Sequence, residues 1–347
     1  MADLTGDLAR CAPSSMSADL AFSLAPLSPS LSPPLARLGL WTGALACALL
    51  GALGSACSRA DSPSRSTSDA SASSSSERPT PLHIASRTVF ADELLWAMGP
   101  EVQIRVVGLS SMADDARYST VAGVWPESTP RLGPNPESLL ALSPDLVILA
   151  SFNAAEYRAA IEDKLEVLVL EDFDGFDGYR RNLELVGDAT HMREATDQVW
   201  ARFDAGITAL EAERPGAENG DGSGENTLPS VVCWDHGYVP GADTTFHDAA
   251  SAAGFRNLPA LPEAGGLSGH ERVDTEQLVA WDPNWLVIGC GEHSCEAAVA
   301  GLSEQAGIRQ MTAVTEGRVI AVPAPYLGTT GEGMLELATR LQAPLLE

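Results

Sequence analysis

One phrase of the sequence occurs twice, once near the middle of the chain and once near its end. Residues 137–149 read Glu-Ser-Leu-Leu-Ala-Leu-Ser-Pro-Asp-Leu-Val-Ile-Leu, and residues 276–288 read Glu-Gln-Leu-Val-Ala-Trp-Asp-Pro-Asn-Trp-Leu-Val-Ile. The copies share the glutamate, a leucine, an alanine and the proline, and each then enters an apolar run. Internal similarity of this kind indicates two similar halves.

Each copy predicts a short amphipathic helix followed by a buried strand. The helix must end before Pro144 or Pro283, because proline cannot continue it. The apolar residues expected to face inward are Leu139, Leu140 and Leu142 in the first copy and Leu278, Val279 and Trp281 in the second. A helix leading into a buried strand is typical of a parallel sheet covered on both faces. We therefore predict an α/β protein of two Rossmann-like lobes with parallel sheets and a ligand cleft between them.

The first part of the chain predicts export rather than a fold. Residues 38–56 carry no charge, follow Arg37 and end in small residues before Cys57, which is typical of a lipoprotein signal peptide over 37–57 with Cys57 as the lipid anchor. The alternative is an uncleaved membrane helix, for which about 19 apolar residues suffice. We expect residues 1–36 to be an extension that is disordered or not translated, and the polar stretch 58–81 to be a flexible tether.

The charge of the chain argues against some partners. Its formal net charge is -26. Nucleic acid and anionic lipid surfaces are therefore disfavoured, and the membrane is expected to be reached through the lipid anchor alone. The charge fits either a solvating surface or an anionic cleft that selects a cationic ligand.

The cysteines outside the leader are Cys233, Cys290 and Cys295. In an oxidising compartment, Cys290 and Cys295 can close a small disulfide loop, which leaves Cys233 as a buried thiol on its strand.

A long helical pattern lies between the two halves. Apolar residues recur at spacings of three and four from Thr190 to Glu213, which predicts a helix about 36 Å long. We therefore expect an N-terminal lobe over 82–188, an interlobe helix over 189–214 and a C-terminal lobe over 215–347.

The whole pattern resembles the periplasmic binding proteins of ABC importers for cobalamin, ferric siderophores and haem, whose two α/β lobes are joined by one long helix. The resemblance is carried by the two repeated phrases and by residues 83–99, 238–241 and 316–322. It implies a monomer without catalytic activity, cofactor or resident metal, in the periplasm or cell envelope. Its expected partners are a metal chelate and an ABC permease dimer in the inner membrane.

The resemblance also assigns a role to the two repeated glutamates. In relatives these glutamates dock onto arginines of the permease, and the positions here are Glu137 and Glu276. The alternative is ordinary helix capping, because each lies in the first turn of its helix, where a carboxylate is favoured.

Ligand contacts are expected in loops at the carboxyl ends of the strands, where open α/β sheets bind their ligands. Aromatic residues are prominent among these expected contacts, as suits a large flat or apolar chelate held by stacking. The candidates are Arg87, Ser110, Ser111, Tyr118, Phe152, Trp234, His236, Tyr238 and Tyr326.

Two other functions are weighed against this one. A protein that binds free zinc or manganese would need about four grouped ligands. The loop Cys290–Cys295 offers three with His293, but a disulfide would consume two of them. A two-lobed nucleotide enzyme lacks support, because the sequence has no GxGxxG, Walker or GxSxG motif.

Overall fold

Residues 82–153, 155–214, 228–291 and 294–347 are the part of the chain that the computed structural model describes. They belong to one unit, Ser75–Glu347. The predicted extension, signal peptide, lipid anchor and tether lie outside the described residues. Within the described ranges, no helix is both long enough and apolar enough to cross a bilayer.

The first half of the described chain contains a five-stranded parallel sheet in the order β3-β2-β1-β4-β5. This is the strand order of a doubly wound, Rossmann-like sheet, in which the connections reverse direction between β1 and β4. The strands are β1 (Ile84–Ser86), β2 (Val106–Ser110), β3 (Arg131–Leu132), β4 (Leu146–Ala150) and β5 (Glu166–Leu170).

The second half contains a four-stranded parallel sheet in the order β11-β10-β6-β8. An antiparallel ribbon of β7 and β9, which the sequence did not predict, accompanies it. The strands are β6 (Ser230–Trp234), β7 (Tyr238–Pro240), β8 (Arg256–Asn257), β9 (His270–Arg272), β10 (Trp285–Cys290) and β11 (Val319–Pro323). The predicted α/β fold with two parallel sheets is confirmed.

Helices connect the strands of both sheets. They are α1 (Val89–Ala97), α2 (Pro100–Gln103), α3 (Pro136–Leu142), α4 (Ala155–Ile161), α5 (Phe176–Thr190), α6 (Arg193–Glu213), α7 (Thr245–Ala253), α8 (Thr275–Trp281), α9 (Cys295–Leu302), α10 (Thr312–Thr315), α11 (Ala324–Leu327) and α12 (Gly333–Gln342).

The two copies of the repeated phrase fold alike. α3 and α8 are both 7 residues long, and each ends at a left-handed residue, Ser143 with φ 47° and Asp282 with φ 39°. Leu139 and Leu278 occupy equivalent positions and are both fully buried. The helices then lead into β4 and β10, so the helix, proline and strand predicted for each copy are present.

The helix predicted over 190–213 is wrong at its start. Thr190 is the last residue of α5, His191 adopts a left-handed conformation with φ 57°, and α6 begins at Arg193. At 1.5 Å per residue, α6 is about 32 Å long. The predicted lobe boundaries at 188/189 and 214/215 remain a prediction.

The largest of three apolar clusters in the described residues draws on both halves. It includes Ile84 and Ile148 from the first sheet and Val231 and Val287 from the second, all buried. Between them lie buried residues of four helices, namely Tyr179, Leu183 and Val186 of α5, Val199, Phe203 and Ile207 of α6, Phe246 and Ala250 of α7, and Met334, Leu337 and Leu341 of α12. Both sheets therefore bury apolar surface against the same helices.

Helices α6 and α12 pack closely at Gly206. A Cβ atom at this position would lie 2.5 Å from Cδ2 of Leu335, so the leucine side chain would have to move to admit it. Arg202 adds polar links on the same helix, donating to the Ala97 carbonyl of α1 at 3.1 Å and pairing with Glu332 at 3.7 Å. Helix α6 is thus attached to an N-terminal helix and to the last helix of the chain.

A side chain of the second half caps a helix of the first. Gly175 precedes α5 and has no side chain to cap it, but the Phe176 N–H donates to Oδ2 of Asp248 at 2.8 Å. Asp248 belongs to α7. Burial raises the pKa of this carboxyl, and the bond from Phe176 opposes the rise.

We predict that Asp248→Ala lowers the free energy of unfolding by about 1–2 kcal/mol, because the first turn of α5 loses its only side-chain acceptor. Asp248→Asn should recover part of the loss, since it keeps a carbonyl oxygen. The matched control is Asp177→Ala, which removes an exposed carboxylate from the first turn of α5 itself. This change should cost no more than about 0.5 kcal/mol. Denaturant unfolding measures all three variants, and equal effects at both aspartates would contradict the capping role.

Candidate functional site

The carboxyl ends of the strands in the first sheet present several of the predicted ligand residues. Arg87 follows β1, Ser111 follows β2, and Phe152 lies two residues after β4. Ser111 and Phe152 are exposed, and Arg87 is partly buried. The order of the strands brings the ends of β1 and β4 side by side, since these strands pair directly.

Arg87 is held by the backbone. Its Nη1 donates to the carbonyl of Gly133 at 2.9 Å and also to that of Leu132, and its Cζ lies 4.3 Å from the centroid of the Tyr157 ring. Arg87 and Tyr157 line an open pocket of about 310 Å³ whose other walls are Pro134, Pro136, Asn153 and Glu156. All six lining residues belong to the first half of the chain.

Ser110, one of the predicted ligand contacts, is not open to solvent in the structure. Its side chain is buried, and its Oγ donates to Oδ2 of Asp92 at 2.5 Å while its N–H donates to Oδ1 at 3.1 Å. The hydroxyl is therefore committed to a buried carboxylate. Burial raises the pKa of Asp92 to about 6, against the opposing effect of these hydrogen bonds.

Two aromatic candidates of the first half are strongly exposed. Phe152 is 70% exposed and Tyr118 is 50% exposed. Phe152 is supported from behind, because its ring lies 5.3 Å from that of Phe173, which in turn contacts Phe90 of the core at 5.7 Å. An exposed ring fixed in this way can offer a flat apolar face to a ligand.

In the second half, a tight hairpin carries two more candidates. His236 and Gly237 have φ of 50° and 88°, and Asp235 and Tyr238 exchange both backbone hydrogen bonds, as in a type I′ turn. The His236 side chain is 94% exposed and its Nδ1 lies 2.7 Å from Oδ1 of Asp235. Tyr238 is 48% exposed. The hairpin thus holds an imidazole and a phenol in solvent beyond the end of β6.

Trp234 and Tyr326 are less available than these residues. Trp234 ends β6, is partly buried and packs against the apolar cluster of the second half. Tyr326 is also partly buried, with Cζ of Arg340 lying 5.1 Å from its ring centroid. Each therefore contributes to packing.

Cys290, the last residue of β10, and Cys295, the first of α9, are joined by a disulfide, and Cys233 is free and buried. His293 lies outside the described residues. Among the residues that are described, no group of three or more His, Cys, Asp or Glu side chains is placed to hold a metal ion.

The structure adds a buried carboxylate that sequence reasoning missed. Oε1 of Glu93 accepts hydrogen bonds from Thr120 N and Oγ1, both at 2.7 Å. On its other side, a Cβ at Gly331 would lie 3.6 Å from Oε2, so Glu93 also abuts the segment that follows α11 in the second half. Burial raises the pKa of Glu93 to about 7, against the Thr120 hydrogen bonds. The sequence feature that could have revealed this buried carboxylate is the pair Asp92-Glu93 inside the otherwise apolar helix α1.

Glu137 and Glu276 occupy the first turns of α3 and α8, and both are exposed. Other side chains cap the two helices. Asn135 Oδ1 accepts from Glu137 N at 2.9 Å, and Asp274 Oδ1 accepts from Gln277 N at 2.8 Å. The carboxylate of neither glutamate is needed as the cap.

Comparison with known proteins gives the family. Residues 91–326 match the family described as periplasmic binding protein, which is more than half of the chain. The chain belongs to this family, which places it in the periplasm or cell envelope. The comparison with curated proteins found no match.

Solved structures agree on the fold. The haem-binding protein RhuT of Roseiflexus sp. RS-1 is 21% identical with a TM-score of 0.59, over 76% of this chain and 98% of RhuT. The haem-binding protein HutB of Vibrio cholerae is 17% identical with a TM-score of 0.61, over 77% and 100%. An Fe³⁺-hydroxamate transport protein of Saccharomonospora viridis is 17% identical with a TM-score of 0.58, over 76% and 93%.

The buried carboxyl of Glu93 predicts how stability depends on pH. Its pKa is about 7 in the fold against an ordinary value of 4.5. The protonated form is therefore favoured by folding, so this contribution is complete below about pH 4.5 and is lost as the pH rises through 7. The loss is at most about 3.5 kcal/mol, since one pKa unit corresponds to about 1.4 kcal/mol and the pKa rises from 4.5 to about 7.

Glu93→Gln keeps a carbonyl acceptor for Thr120 but cannot ionise, so it should reduce the loss of stability between about pH 4.5 and 7 and leave the loss that Asp92 causes. Denaturant unfolding at each pH measures this. The control Glu101→Gln, at an exposed glutamate of α2, should follow the wild type. Parallel profiles for the wild type and Glu93→Gln would show that the carboxyl is not held as described.

Proposed function

We propose that this protein is the substrate-binding lipoprotein of an ABC importer. It captures a metal chelate, namely a ferric siderophore, haem or cobalamin, in the cleft between its lobes and delivers it to the membrane permease. It acts as a monomer, has no catalytic role and is attached to the membrane through Cys57. Membership of the periplasmic binding protein family supports the binding role.

The observation that carries the choice of ligand is the exposure of aromatic rings beyond strand ends in both halves. Phe152 and Tyr118 lie in the first half and Tyr238 in the second, and these residues are 70%, 50% and 48% exposed. Exposed rings on a fixed scaffold favour a large ligand with apolar or flat surfaces.

Delivery to the permease is assigned to Glu137 and Glu276. They occupy equivalent positions of the two similar halves, both are exposed, and neither carboxylate is needed as its helix cap. A permease dimer presents the same surface twice, and two matched carboxylates suit such a partner.

Titration of the soluble domain with haemin, cobalamin and a panel of ferric siderophores, followed by tryptophan fluorescence, tests the ligand assignment. We expect saturable binding of one of these chelates. Failure of the whole panel, together with zinc or manganese retained in the purified protein, would instead establish the free-metal function. The Cys290–Cys295 disulfide argues against that function, because bonded sulfurs are not thiolate ligands.

We predict that the double change Glu137→Arg/Glu276→Arg abolishes uptake of the ligand by cells, because like charges would then face the arginines of the permease. Affinity of the purified protein for the ligand should not change. Each exposed substitution should cost no more than about 1 kcal/mol of stability.

The matched control is Glu101→Arg/Glu194→Arg. These glutamates are also exposed and also lie in the first turns of helices, α2 and α6. The control should leave uptake intact. Uptake that survives the first double change, or a loss of ligand affinity in its place, would refute the docking role.

A further inference from the structure

The open pocket lined by Arg87 and Tyr157 lies at the carboxyl ends of β1 and β4 in the first sheet. β1 and β4 are neighbours, and the connections of the sheet reverse direction between them. Arg87 directly follows β1, while Asn153 and Tyr157 follow β4. Open α/β sheets bind ligands in the crevice outside such a switch point, because the loops that leave it diverge to opposite faces.

The pocket is built on a framework that its own residues hold in place. Asn153 joins the loop after β4 to the loop after β1. Its Oδ1 accepts from Ala150 N at 2.7 Å, and its Nδ2 donates to the Arg87 carbonyl at 3.5 Å. Nη1 of Arg87 fixes the opposite wall through the carbonyls of Leu132 and Gly133. Backbone carbonyls therefore position the Arg87 guanidinium.

Two polar atoms of the lining residues lack partners. Nε of Arg87 and the hydroxyl of Tyr157 are both buried, and neither has a hydrogen-bond partner among the described residues. The Tyr157 residue is only 8% exposed. Buried polar groups are nearly always paired, so two orphans beside one pocket require an explanation. The N–H can only donate and the hydroxyl can donate, so both suit an incoming oxygen acceptor.

We infer that this pocket binds a carboxylate group of the transported chelate, with Arg87 and Tyr157 as its donors. The inference rests on the proposed function and narrows its ligand to chelates that carry carboxylates. Phe152 precedes Asn153 on the same loop and is 70% exposed, so the loop also carries an apolar ring that is open to the body of such a chelate. Charge-assisted hydrogen bonds from a guanidinium are the strong kind for this purpose.

One lining residue opposes an anion. Glu156 is exposed, so its carboxylate repels a second one from the solvent side. Glu156→Gln should therefore tighten binding of carboxylate ligands a few-fold, and the effect should weaken in salt.

The decisive comparison uses ligand pairs in which one member carries free carboxylates and the other does not, and a variant that removes only one oxygen. Haemin is compared with haemin dimethyl ester, and ferric citrate with a neutral ferric trihydroxamate. Tyr157→Phe should weaken the carboxylate member of the pair that binds by about 10- to 100-fold and leave its neutral partner unaffected. Tyr179→Phe is the matched control, because the Tyr179 hydroxyl is also buried without a partner but does not line the pocket.

Four outcomes separate the inference from the proposed function. A preference for the carboxylate member that Tyr157→Phe removes and Tyr179→Phe retains supports both. Equal affinity for both members, or a preference that survives Tyr157→Phe, overturns the inference and leaves the function standing. If no chelate binds, the wild type and Tyr157→Phe are titrated with metal-free citrate and followed by NMR. Citrate binding to the wild type that is lost in Tyr157→Phe would support the carboxylate pocket but not the chelate-binding function. Absence of citrate binding as well overturns both.

Discussion

The shared apolar core is the feature on which the rest of the structure depends. Residues of both parallel sheets and of α5, α6, α7 and α12 bury their side chains in one continuous cluster. Opening one half against the other would expose this surface to water, at about 25 cal/mol for each Å². Polar contacts also link the two halves, since Asp248 caps a helix of the first half and Arg202 bridges α1 and α12. The strand ends that carry the candidate ligand residues are thereby held in place.

Much of this architecture could be predicted from the sequence, because it rests on periodic apolar patterns. The repeated phrase placed α3 and β4, and α8 and β10, and the apolar spacing placed most of α6. Helix α5 was missed although Tyr179, Leu183 and Val186 are buried at helical spacing, on a face that also buries the polar Asn182. The ribbon of β7 and β9 was missed because it is held by tertiary contacts rather than by a strong local pattern.

The site was harder to predict than the fold. Position at a strand end identified Arg87, Phe152 and Tyr238 as candidates, but it could not distinguish an exposed side chain from one such as Ser110, which is committed to Asp92. Tyr157 was not a candidate at all, because its importance comes from the Arg87 guanidinium 4.3 Å above its ring. Such relations join residues far apart in sequence, and only the fold brings them together.

The central claim is that the core fixes the two halves relative to each other, so that the ligand meets a preformed site. Small-angle X-ray scattering of the soluble domain, without ligand and saturated with the chelate that binds most tightly, tests it directly. The account predicts scattering profiles that superimpose, with the same radius of gyration. A clear drop in the radius of gyration on binding would mean that the halves close by a hinge motion, and it would contradict the account.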